Sequence, residues 1–206
     1  MKTYEYQGAP HSVARSHPWT DAAANSAFRY YDLSREPERI RGSLEDFVPW
    51  GGYPAVERFY SLLEWLHAPD SAGQASLFET NDCAFSGPHA NEAAEFPKSL
   101  QCTGRVMLLY RDLPINRSRR RMEALEFALH QRLQSMDQEF EWGVVATTIV
   151  PVRYLALPVR QDGQSGHQLM ISFWAWGDEV GEVMGNLNRV FENLFGALRD
   201  LADSPR

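Results

Sequence analysis

The sequence has little cysteine: Cys83 and Cys102 are the only two among 206 residues. So few thiols exclude a disulfide framework, and their separation lacks the paired spacing of a structural zinc site. Long apolar runs are missing as well. The longest, Gly143 to Pro151 and Leu169 to Gly177, span about nine residues, against the roughly 20 that cross a bilayer as a helix. The opening stretch Met1-Lys2-Thr3-Tyr4-Glu5-Tyr6-Gln7 has no apolar segment of the kind that directs export. These absences point to a cytoplasmic protein with reduced thiols and no membrane partner.

Metal and cofactor signatures are also absent. His11, His17, His67, His130 and His167 are dispersed, with no pair four residues apart on one helix, so no metal is expected. No P-loop, dinucleotide fingerprint or nucleophile elbow occurs, and no cofactor is expected. Basic charge is in deficit, with 20 Lys and Arg against 27 Asp and Glu and a net charge of -7. Bulk attraction to a nucleic-acid backbone is therefore disfavoured.

What the sequence does hold is apolar surface, with 44% hydrophobic and 12% aromatic residues. That composition belongs to a folded chain, and the length suits one domain over 1–206. Residues 1–48 show no sustained period, being interrupted by Pro10, Pro18 and Pro37. They read as an irregular segment that wraps the body, because Tyr30, Tyr31, Leu33, Ile40, Leu44 and Phe47 are too apolar for a free tail. A helix is predicted over 54–67, from Pro54 at its start and Val56, Phe59, Tyr60, Leu63 and Leu66 on one face.

The body is expected over 77–206. Leu77 to Phe85 suits a short strand, and Ser86 to Ser99 reads as a loop containing Gly87, Pro88 and Pro97. Alternation of Val106, Leu108 and Tyr110 predicts a strand over 103–111. Asn116 or Ser118 then caps a helix carrying Met122, Leu125, Leu129, Leu133 and Met136. Val144 to Leu157 is one bent strand or two short ones broken at Pro151, and His167 to Trp176 is another. Asp178 can cap a long last helix with Val183, Leu187, Phe191, Leu194 and Leu198 buried. The fold class is α+β: an antiparallel sheet of about four strands with two long helices and one extra helix. Its order of elements resembles a permuted ferredoxin-like sandwich, a likeness that carries no function.

Three features bear on chemistry. Lys98, Arg105, Arg111, Arg117, Arg119, Arg120 and Arg121, with Asp112 the only acid among them, give their segment +6 and leave -13 for the rest. Guanidinium groups at a helix start suit an anion or an acidic partner, although pairing with Glu123 and Glu126 as an ordinary solvated face is the plainer account. The strand 167–176 alternates Leu169, Ile171, Phe173 and Ala175 with Met170, Ser172, Trp174 and Trp176, so both faces are apolar. The second face is then either covered by the N-terminal segment or offered to a partner. Last, Glu79, Asp82, Cys83 and His89 contain acid-base and thiol chemistry, but turn-forming residues beside a buried cysteine explain them equally well.

The leading expectation is a non-enzymatic interaction module. It binds a protein partner, or a second copy of itself, through Trp174 and Trp176 with Arg105 and Arg111, or through Arg117, Arg119, Arg120 and Arg121. A small-molecule pocket or enzyme near 79–92 is the alternative, and anion or nucleic-acid binding at Arg117 to Arg121 comes third.

Overall fold

The structure, a computed structural model, describes residues 1–5, 15–17, 37–43, 45–68, 77–92, 95–154 and 164–203. Its strands are β1 (Lys2–Glu5), β2 (Arg15–His17), β3 (Phe78–Ala90), β4 (Leu100–Tyr110), β5 (Gly143–Tyr154) and β6 (Gln164–Gly177). Its helices are α1 (Ile40–Ser43), α2 (Pro54–His67), α3 (Arg119–Ser135) and α4 (Val180–Asp203). The architecture is α+β, with α4 lying over β6 between α2 and α3. No helix among the described residues is long and apolar enough to cross a membrane.

The sheet runs β1-β5-β6-β4-β3, and β2 also pairs with β5. It has six strands rather than four, and it is mixed. β1 and β2 lie parallel to β5 along its outer edge, at Val144 to Thr147 and at Val152 to Tyr154 respectively. The other four strands form the antiparallel block that the alternation predicts. Two short strands from the N-terminal segment thus join a sheet edge, something that runs of three and four residues cannot announce by periodicity. The rest of the expected wrapping segment, residues 6–14, 18–36 and 44, lies outside the described residues.

β3 departs furthest from expectation. It continues through Ser86, Gly87 and Pro88 as a strand of 13 residues, where a loop is predicted. Register shifts between Thr80 and Asp82 and between Ser86 and His89 absorb the turn-forming residues as bulges. β5 likewise runs unbroken through Pro151. Pro151 falls between the stretches paired with β1 and β2, where a missing amide donor costs no ladder bond on the outer edge.

One face of the sheet packs against the helices. Leu169, Ile171, Phe173 and Ala175 of β6 lie beside Val106, Leu108 and Cys102 of β4 and Val145 of β5, and all are buried. Phe191 of α4 sits 4.9 Å from both Phe59 of α2 and Phe173. Phe47 stacks between Phe59 at 4.8 Å and Phe85 at 4.2 Å, clamping the 3-10 turn Glu45–Trp50 to α2 and β3. Aromatic pairs of this kind contribute about 0.5–1.5 kcal/mol each beyond the area they bury.

Candidate functional site

The end of β4 builds the approach to α3. Asn116, fully buried, donates to the Tyr110 carbonyl at 2.8 Å and accepts from the Tyr110 amide at 2.9 Å. It closes the turn 111–117, whose last part is the 3-10 helix Leu113–Arg117. Of the two predicted caps, Ser118 is the one used, accepting from the Arg121 amide at 3.4 Å. Arg117, Arg119, Arg120 and Arg121 all emerge exposed. Arg119 pairs with Glu123 at 2.9 Å. The side chains of Arg120 and Arg121 form no hydrogen bond or ion pair with any described residue.

The other cations of the cluster lie elsewhere. Arg111 turns inward, donating to the Leu66 carbonyl at 2.6 Å and to the Phe78 carbonyl at 3.2 Å. It ties the last turn of α2 to the start of β3, where a cation suits the negative end of the helix. Arg105 is half-buried on β4, between the register positions of Ala84 and Ser172. Lys98 is at the opposite end of β4, bridging Asp178 at 2.8 Å and Glu182 at 2.7 Å, with its ammonium 4.7 Å from the Trp142 ring centre. Seven cations close in sequence therefore contribute four to one exposed surface.

The second face of β6 is not a naked aromatic patch. Trp176 is 3% exposed and stacks on Phe96 with centroids 3.7 Å apart and planes at 9°. Trp174, beside Thr103 and Val144 in register, is half-buried. Met107, Leu109 and Gln168 share that face and are buried too.

The polar run on β3 does not converge. Cys83 pairs in register with Val106, on the helix-packed face, and Glu79 with Leu109, on the other. His89 pairs with Gln101, also on the second face, about 17 Å along the sheet from Cys83 by strand rise. A Cys83 and His89 dyad is therefore excluded by geometry. Asp82 lies opposite Met107 in register. The second thiol, Cys102, is buried against Met184 at 3.8 Å, and burial pushes its pKa up to about 12, which makes it a poor nucleophile. No group of three or more potential metal ligands occurs among the described residues.

One polar cluster escapes sequence reasoning. Thr147 of β5, 1% exposed, donates to Glu126 Oε1 at 2.7 Å and lies 2.7 Å from His130 Nε2. Since its hydroxyl proton goes to the carboxylate, it accepts from His130, which fixes the proton on Nε2. Burial raises the Glu126 carboxyl and lowers the His130 imidazole, with Glu5 acting to raise both. The signal was there in the spacing of Glu126 and His130, one helical turn apart beside the apolar stripe.

Fold and surface together define an α+β protein with a mixed sheet, one helical layer and a basic helix start at its edge. Comparison with protein-family models, curated proteins and solved structures finds no match.

Proposed function

We propose that this chain is an interaction module that docks an acidic surface of a protein partner on Arg117, Arg120 and Arg121 at the start of α3. One observation carries the reading: Arg120 and Arg121 are exposed in a first helical turn, and their side chains pair with no acid among the described residues. Cations there oppose the helix dipole by a few tenths of a kcal/mol each, so helix stability does not account for them. Arginine also suits planar, bidentate recognition of carboxylates. The net charge of -7 favours a protein partner over nucleic acid, and the separation of Cys83 from His89 weighs against an enzyme in the 79–92 region. A cytoplasmic setting fits two cysteines that form no disulfide. Strand β6 lying between β4 and β5, with α3 joining those two, supports the permuted ferredoxin-like reading of the fold.

The test is a pull-down with the tagged protein and an Arg120→Glu, Arg121→Glu variant, with and without nuclease. The expected result is a stoichiometric protein that survives nuclease and 0.1 M salt on the order of the Debye screening range, and that the folded variant loses. A partner retained by the variant, or one lost on nuclease treatment, overturns the reading.

A further inference from the structure

Helix α3 buries Met122, Leu125, Leu129 and Leu133 against α4 and the sheet. On its outward side Phe127 is 62% exposed, one of three large apolar side chains so open among the described residues, with Tyr4 and Val48. A single exposed phenylalanine is ordinary. Its position is what gives Phe127 meaning, because Arg120 lies seven residues before it. At 3.6 residues per turn the two are about 20° apart around the helix and about 10 Å apart along it. Ala124 lies between them on the same side, exposed and too short to keep a ligand from either. Glu123 on the flank is taken by Arg119 at 2.9 Å, whereas the Arg120 side chain pairs with no acid among the described residues.

The outward stripe therefore offers one unspent positive charge and one aromatic ring at a fixed spacing. Arginine and aromatic side chains are the residues that protein interfaces concentrate. The charge selects an acid in the partner, and the net charge of -7 disfavours a nucleic-acid backbone as its source. The spacing selects a helix. Residues on one side of a strand lie about 7 or 13 Å apart, neither of which matches, while positions seven apart on a second helix match both the distance and the side. Two helices lying nearly parallel pack with such positions in contact.

We propose, building on the reading of Arg120 as a partner-binding cation, that α3 docks an amphipathic acidic helix of a partner protein lengthwise. A carboxylate of that helix meets Arg120, and an apolar side chain seven residues from it packs on Phe127. The ring supplies the buried apolar area, and the charge-assisted hydrogen bond at Arg120 sets the register. Arg121, about 100° round the helix from Arg120, lies outside this line of contact.

The probe is a synthetic helical peptide carrying one Glu and, seven residues on, one Leu in an alanine and glutamine background, titrated into the ¹⁵N-labelled full chain. Its control has the same composition with the Leu moved two places, onto the opposite side of the peptide helix. The expected result is a saturable shift of amide signals within 119–131, with affinity about tenfold lower for the control peptide, for Phe127→Ala and for Arg120→Gln, and largely restored in Phe127→Leu. Because Phe127 is exposed, Phe127→Ala is expected to melt as the wild-type chain does. The absence of a saturable shift overturns the proposal, as does equal binding of the two peptides. Full affinity in Phe127→Ala with loss in Arg120→Gln overturns it while leaving the arginine reading standing, and full affinity in Arg120→Gln overturns both. An oligouridylate that shifts the same amides at lower concentration than the peptide also overturns both.

Discussion

Arg111 stands in a run of cations, yet its guanidinium is committed to the carbonyls of Leu66 and Phe78. Replacing it by methionine keeps the stem and leaves those acceptors short of a charged donor, at a cost of about 1–3 kcal/mol. Urea denaturation is expected to show a lower midpoint at unchanged slope. Gly104 is constrained by space: a Cβ there would overlap the Phe173 ring and the Ala84 carbonyl oxygen. Because backbone cannot yield as a side chain does, Gly104→Ala is expected to cost about 1–3 kcal/mol by thermal melting. The His130 and Glu126 pair produces pH dependence of two signs. His130 has its folded pKa depressed by burial, so its contribution is full above about pH 6.5 and is lost as pH falls toward the folded value. Glu126 has its folded pKa raised, so its buried charge is a cost at neutral pH that is relieved as pH falls through that value. Melting temperatures between pH 8 and 4 are expected to show a flatter acid limb in His130→Gln and a steeper one in Glu126→Gln. Identical profiles for all three proteins would refute this account.

At the scale of elements, α3 is placed by what precedes it. Asn116 holds the turn through both polar groups of Tyr110, and Ser118 begins the helix. Asn116→Ala is expected to cost about 1–3 kcal/mol and to weaken partner binding as well, because the arginines follow the turn. Ser118→Ala keeps the turn and is expected to cost about 1 kcal/mol, leaving binding within about twofold as read by calorimetry. The far end of α3 is pinned differently. Asp137 has a left-handed backbone at φ 43 and holds Arg189 of α4 through both carboxylate oxygens, at 2.7 and 2.8 Å. Arg189 depresses the Asp137 carboxyl in turn. At the start of α4 the predicted capping role of Asp178 is reversed. Its carboxylate takes Lys98 and Ser99, while Glu182 accepts from the Asp178 amide at 2.6 Å. Residue types foretold that this helix begins here, but which carboxylate caps it depended on β4 arriving alongside.

For the whole molecule, the charge cluster is the clearest case of tertiary structure dividing what sequence groups together. Lys98 and Arg111 bracket β4, a strand of 11 residues about 33 Å long at the usual rise, which carries them to opposite ends of the sheet. The α+β class, the helices α2, α3 and α4 and the antiparallel block were legible because each rests on a local period of apolar residues, 3.6 in a helix and 2 in a strand. The starts of α2 at Pro54 and of α3 at Asn116 or Ser118 were legible too, being decided within one turn. Six strands in place of four, β3 passing through Gly87 and Pro88, and the covering of Trp176 by Phe96 were not. Each depends on a backbone or a ring supplied by a segment distant in sequence, and pairing energy of that kind leaves no local pattern. The sequence by itself determined which stretches curl or extend and which side of each is apolar. Only the tertiary structure decided which polar groups meet, since His130 and Thr147 become neighbours through the packing of α3 on β5, and Gln101 and Trp176 through strand register.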